Sequence, residues 1–372
     1  MVSKKILMVL LNANGDCLYG TVISKQIKEV DYPGCHLTWA VNRNCKQSIE
    51  NNPFVDKIWE VETKKTFNDL KEWNAIKKTA EQKKSEGEFD LIFYLQIHGE
   101  NVLKYDGGIR SSIYKNYPHP IVISQQPLIF LRPEEINNVT AFSNKFNLAK
   151  FKKIVLVECG PTSFTSNLHP DKLIGILELI IKNNKDIAFI LSSNKKITHL
   201  NPQIIDGSEL SFRENAELTK YCDFFIGCSS GITWLSTTQW AKNIPKIILT
   251  NPKDYYTSSF IHDHKESSLP FDHVIEIQDH KNSLQDIKNI IELITENDFE
   301  KAKSAYHTEF KLQNFKFVYH QCKGFIKKGD FISPVKSFRV VCKRNYFSWR
   351  ALGYLLKGYL KSPLYIFQKD TD

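Results

Sequence analysis

Long apolar runs are missing from this chain of 372 residues. No stretch approaches the roughly 20 consecutive apolar residues that a membrane-spanning helix needs. Paired cysteines are missing too: Cys17, Cys35, Cys45, Cys159, Cys222, Cys228, Cys322 and Cys342 form no C-x-x-C and no regular spacing. That argues against zinc ribbons and a secreted disulfide framework, and fits a reduced, cytoplasmic compartment. There is no internal repeat and no low-complexity tract. Lys4 and Lys5 precede an apolar run in the manner of a secretory signal, but the run meets Asn12, Gly15 and Asp16 too soon and lacks a cleavage site. It reads as a first strand. Asn138-Val139-Thr140 matches the glycosylation sequon by chance.

What is present is an ordinary globular composition, 42% apolar and 24% charged, on a chain long enough for two domains. The net charge of +9 is unevenly placed, because residues 320–372 hold eleven Lys or Arg against three Asp. The body is nearly neutral and the tail is basic. Strands are predicted at 5–11, His36 to Val41, Lys57 to Val61, Phe89 to Leu95 and Ile121 to Ser124, with helices over Tyr19 to Val30 and 67–86. After a polar connection at 125–150, alternation resumes: strand Ile154 to Glu158, helix Asp171 to Lys182, strand Ile187 to Ser192, helix Glu214 to Tyr221, strand 223–226, helix 232–242 and strand Lys246 to Leu249. Residues 283–321 read as helical in two pieces. The expected units are an amino-terminal domain at 1–150, a second α/β domain at 151–322 and a basic aromatic tail at 323–372.

Two strand ends carry the chemistry. Ile6 to Leu11 runs into Asn12-Ala13-Asn14-Gly15-Asp16, and Asp223 to Ile226 runs into Gly227-Cys228-Ser229-Ser230-Gly231. Apolar runs that stop at small and polar residues before a helix form ligand crevices at the carboxyl ends of parallel strands. Two of them imply two ligand-binding lobes facing each other. Asp16 reads either as a general base, held within reach of an acceptor hydroxyl, or as a helix N-cap. The 227–231 corner reads either as a pyrophosphate seat, with Ser229 and Ser230 hydroxyls and a helix start at Ile232, or as a serine cap on a plain helix. Gln96 and His98 reach the same crevice as Asp16 and could hold a sugar hydroxyl; His98 is equally an ordinary loop histidine. His262-Asp263-His264 reads as solvated loop rather than metal site. In the tail, Lys343, Arg350, Lys357 and Lys361 would align on one stripe of a helix over 343–361, with Leu352, Leu355, Leu356 and Tyr359 opposite. That is either an interfacial helix for anionic lipid or a helix docked on the body. No nucleic-acid-binding fold is recognisable.

Several segments fall in a familiar order over residues 4–250: Ile6 to Asp16; Tyr32-Pro33-Gly34 with Leu37-Thr38-Trp39; Asn52-Pro53-Phe54-Val55-Asp56; Phe89-Asp90-Leu91 through Leu95-Gln96; and Asn215-Ala216-Glu217-Leu218 through Asp223 to Ser229-Ser230-Gly231-Ile232-Thr233. Together they resemble the family 9 glycosyltransferases, the group that includes the lipopolysaccharide heptosyltransferases. The resemblance implies a GT-B fold: two Rossmann-like doubly wound domains facing a central cleft, here with a basic helical tail. It also implies an inverting transfer of sugar from a nucleotide-sugar donor to a glycan or glycolipid acceptor, and the basic tail would keep such an enzyme on the inner face of the cytoplasmic membrane. Asp16 would be the base, with Asn14, Gly15, Gln96 and His98 near the acceptor. Ser229, Ser230, Gly231, Ile232 and Thr233 would hold the donor phosphates. No D-x-D occurs within 4–250, in keeping with the metal-free, cofactor-free chemistry of such enzymes.

Departures accompany the likeness. Ser229 stands where the family has an acid, Trp234 where it has a histidine, and no lysine appears in Gly160 to Ser166 where the family has one. Lys195, Lys196 or Arg213 would then have to supply the cation beside the departing diphosphate. The same departures suit a second reading, a non-catalytic GT-B-like binding or scaffolding protein. A nucleotide-sugar epimerase would need a second acid in the cleft, and none stands out.

Overall fold

The computed structural model describes residues 3–62, 70–98, 101, 104–105, 108–159, 170–250, 259–278, 284–310, 322–326, 329–345 and 349–361. The first lobe is built from β1 (Lys5–Val9), α1 (Asn14–Gln26), β2 (His36–Asn42), β3 (Lys57–Val61), α2 (Leu70–Ser85), β4 (Leu91–Tyr94) and α3 (Ile109–Asn116). Its sheet is parallel in the order β3-β2-β1-β4, with Ile6 opposite both Leu37 and Leu91. Ile6, Leu7, Met8 and Val9 are wholly buried, as a strand covered on both faces requires. Residues 121–124 do not form the expected fifth strand; they follow α3 outside the sheet, and Val122 N donates to Gln26 Oε1.

The polar connection at 125–150 contains a helix, α4 (Pro133–Lys145). Pro133 opens it, the position where its missing N–H costs nothing, and the Glu135 carboxylate accepts the Arg132 amide at 2.7 Å. Its Val139 and Phe142 pack with Ile154, Leu156 and Ala216, so the packing of the second lobe starts before residue 150.

The second lobe runs β5 (Lys153–Glu158), α5 (Pro170–Asn183), β6 (Ile187–Ser192), β7 (Ile204–Asp206), α6 (Glu214–Leu218), β8 (Phe224–Gly227), α7 (Gly231–Leu235), β9 (Lys246–Thr250), α8 (Phe260–Glu266), β10 (Val274–Gln278), α9 (Leu284–Thr295) and α10 (Phe299–Tyr306). Its parallel sheet has the order β10-β9-β8-β5-β6-β7. The direction of winding reverses between β5 and β8, and in the first sheet between β1 and β4. In open α/β sheets those reversals are where ligand crevices open. The helix expected over 232–242 stops at Leu235 because the hydroxyls of Ser236, Thr237 and Thr238 turn back to the carbonyls of Thr233, Trp234 and Leu235. His262, Asp263 and His264 lie on α8, not on a solvated loop, and Asp263 and His264 are buried.

The tail forms a short helix α11 at 322–326, then α12 (Ser333–Asn345) and α13 (Trp349–Leu360). Lys343 therefore sits on a different helix from Arg350 and Lys357, and the single stripe is not formed. Leu352, Leu355 and Tyr359 are docked against Cys322, Ile326 and Phe338. Among the described residues no helix is long and apolar enough to cross a membrane.

Candidate functional site

The carboxyl end of β1 is held open by Gln96. Its Oε1 accepts the Leu11 and Asn12 amides, both at 3.0 Å, and its Nε2 donates to Asn12 O at 2.7 Å. The Gln96 oxygen and one of its two amide hydrogens are thus engaged in shaping the corner. His98 packs on Trp73 with ring centroids 5.6 Å apart and does not reach the cleft cavity.

Ala13, not Asp16, is the N-cap of α1. Asp16 sits in the first turn with its side chain at the lobe interface, 1% exposed. Its Oδ1 lies 3.3 Å from Arg110 Nε on α3, and the Arg110 guanidinium lies over the Trp234 ring of α7 at 4.5 Å. On α8, Asp263 Oδ1 accepts both the amide and the hydroxyl of Ser111 at 3.0 Å. Burial pushes the Asp16 carboxyl up to about 6, against the pull of Arg110 and the Ala13 amide, with Asp263 adding to the rise. Trp234 closes the corner: a Cβ on Gly15 would fall 2.7 Å from its Cδ1. The residue standing in place of the family's histidine thus packs against Gly15 and under the guanidinium that pairs with the candidate base.

The second corner is occupied from within. Glu158, the last residue of β5, accepts the Cys228 amide at 2.9 Å, the Ile232 amide at 3.2 Å and the Thr233 hydroxyl at 2.7 Å, and also the Ser230 hydroxyl. Ser229 takes a left-handed backbone, φ 56°, and its carbonyl accepts the Trp234 indole N–H. The donors that sequence assigns to a diphosphate, on Ser230, Ile232 and Thr233, are therefore committed to a carboxylate of the chain itself. Nothing in the local sequence of the 227–233 corner pointed to Glu158. The signal was its place as the one charged residue ending an apolar strand next to the point where the winding reverses.

Beside this corner lies a cavity of about 370 Å³ between the lobes. Asn14 and Gln47 line it from the first lobe, and Glu158, Ser193, Asn194, Phe212, Ser230 and Gly231 are among those lining it from the second. Gly231 faces Asn14, whose Cβ lies 3.3 Å from where a Gly231 Cβ would stand, and the Asn14 Oδ1 accepts the Ser48 hydroxyl at 3.0 Å. The structure thus brings Asn14, Ser230, Gly231 and Ile232 together, while leaving Gln96 and His98 outside. Among the described residues no Lys or Arg lines the cavity. Lys195 and Lys196 are exposed on the loop that follows its Ser193 and Asn194. Arg213 is not available to a ligand: it is buried, 2.5 Å from Glu135 through Nε, and its other nitrogens donate to the carbonyls of Gln47, Glu50 and Phe130. The Gly160 to Ser166 loop lies outside the described residues.

A lipopolysaccharide heptosyltransferase 1 from Campylobacter coli is 22% identical over 302 residues, covering 69% of this chain and 86% of that protein. A family 9 glycosyltransferase from Veillonella parvula superposes with a TM-score of 0.52 at 13% identity, covering 78% of this chain and 89% of its own. By sequence and by fold the chain resembles the family 9 glycosyltransferases. The ADP-heptose lipopolysaccharide heptosyltransferase II of E. coli gives a TM-score of 0.51 at 12% identity, over 79% of this chain and 99% of its own. No family model matches. The two lobes thus have the GT-B arrangement that the likeness to family 9 implied.

Proposed function

We propose that the chain is an inverting glycosyltransferase of lipopolysaccharide or related surface-glycan assembly, using a nucleotide-sugar donor and no metal. The observation that carries this reading is the polar cavity at the β5/β8 reversal, lined across the lobe boundary by Asn14, two residues before Asp16. Asp16 would take the proton of an acceptor hydroxyl. That oxygen would then form a bond to the anomeric carbon as the bond to the diphosphate oxygen breaks on the opposite face. The exposed Lys195 and Lys196 would bring cationic charge to a cavity that has none among its described lining residues. Because Asp16 is buried beside Arg110, with Trp234 packed on the neighbouring Gly15, the lobes must part before an acceptor can reach it.

The same burial favours a second reading. With Trp234 closing the first corner and Glu158 filling the second, a GT-B-like scaffold that binds without turnover is the alternative. Calorimetry against a panel of nucleotide sugars, run beside an assay for nucleoside diphosphate release, separates the two. Saturable binding with release supports transfer; saturable binding with no release on any acceptor supports the scaffold; no binding at all removes both.

The acceptor would be presented at an anionic membrane surface on the cytoplasmic side. On α13, Trp349, Leu356 and Leu360 are 78%, 52% and 80% exposed beside the exposed Arg350 and Lys357, an apolar and basic face of the interfacial kind. In sedimentation with vesicles containing phosphatidylserine, the full chain should pellet. A Leu356→Glu, Leu360→Glu double variant should stay largely in the supernatant. Equal pelleting of the two discards the membrane role.

A further inference from the structure

At the amino-terminal end of β9, the opposite end of the strand from the cleft, lies a second cavity of about 110 Å³. Gln126, Ser236, Thr237, Lys246, His264 and His273 line it. Lys246 is 1% exposed and its ammonium, which has three hydrogens to give, donates to Ile244 O at 2.9 Å. No carboxylate lines the cavity, and none pairs with Lys246 among the described residues. A buried ammonium so poorly matched is costly to keep unless something completes it.

His264 is 4% exposed, and its Nδ1 lies 2.8 Å from Pro270 O. A carbonyl can only accept, so Nδ1 carries the hydrogen and Nε2 presents a lone pair. Burial holds the ring neutral, its pKa pushed down to about 3. Nε2 is buried and has no partner among the described residues. The hydroxyls of Ser236 and Thr237 give their hydrogens to Thr233 O and Trp234 O, so they too offer only lone pairs. Lys246, with unused ammonium hydrogens, and His264, with an unused acceptor, thus line the same cavity.

We propose that this cavity binds a small oxyanion that retains a hydroxyl proton, of the hydrogen phosphate class. An anionic oxygen accepts from Lys246 Nζ, and the ion's own O–H donates to His264 Nε2. The volume is well below the roughly 300 Å³ at which pockets for larger organic ligands begin, so a nucleotide does not fit. The exposed Gln126 and Asn243 stand at the mouth and leave a route from solvent. Burial pushes the Lys246 amine down to about 7, and an anion beside it restores the charged form. The inference does not depend on the transferase reading.

Calorimetric titration of the full chain with inorganic phosphate and with sulfate at neutral pH tests it. Phosphate should bind at one site, and sulfate, which has no proton to give, about tenfold more weakly or worse. Lys246→Met keeps the shape of the stem, removes a buried charge and should abolish phosphate binding with the thermal midpoint unchanged or higher. His264→Phe preserves the stack on Phe260 and should bring phosphate and sulfate to similar affinities. Saturating nucleoside diphosphate should leave the phosphate signal in place, which separates this site from the cleft. Absence of phosphate binding to the native chain, sulfate bound as tightly, or full binding by Lys246→Met would each overturn the proposal.

Discussion

Asp16→Asn should lower sugar transfer by about 10²–10⁴-fold in kcat, the range that a positioned general base contributes. The assay is nucleoside diphosphate release in the presence of acceptor, with donor binding measured in parallel. KM for the donor should change little, because the donor cavity is lined by Asn14 and not by Asp16. The native pH profile should rise through about pH 6, where the buried carboxyl loses its proton, and level off above. Stability moves the other way. A carboxyl raised from 3.8 to about 6 binds its proton more tightly folded than unfolded, so its contribution weakens folding as pH climbs between those values. The loss is on the order of 3 kcal/mol at most. If Asp16→Asn retains full transfer, Asp16 is not the base.

Arg213→Ala should destabilise the protein by about 3–5 kcal/mol, read as a lower urea midpoint with an unchanged slope. The guanidinium ties Glu135, just inside the start of α4, to the carbonyls of Gln47 and Glu50 in the first lobe and of Phe130 in the connection. Removing it leaves a largely buried carboxylate and three carbonyls without their donor. Arg213→Lys should recover only part of the loss, because a single ammonium cannot serve the planar fork. A donor-contacting arginine would behave differently, losing nucleotide affinity at nearly native stability, so the pair of measurements separates the two roles.

Strands were the most legible part of this chain. Ile6 to Val9, Ile187 to Leu191 and Phe224 to Ile226 are uninterrupted apolar runs, and each lies within an observed strand. α4 was obscured by Pro133 and the Asn137-Asn138 pair, which read as breakers until Pro133 is seen to occupy the first helical position. α8 was hidden because its buried His264 and Asp263 look solvated when taken as letters, yet each sits under the aromatic wall of Trp234 and Phe260 or against Ser111. At the site, residue types marked the corners correctly, and Asn14 and Gly231 do meet across the cleft. Their partners were not legible. Glu158 lies about seventy residues from the donors it fills, and Arg110 about ninety from Asp16, separations that no local pattern encodes.

The place of β5 in the second sheet has a consequence for how the chain is made. Val155 to Val157 pair on one side with β6, which is synthesised soon after, and on the other with β8, which begins only at Phe224. While the ribosome is still producing the intervening segment, one edge of this buried strand is left bare. Non-local parallel pairing of this sort is slow, and a naked edge recruits other chains. The first lobe, whose strands are complete by Tyr94, can fold meanwhile and shelter the nascent second half through α4.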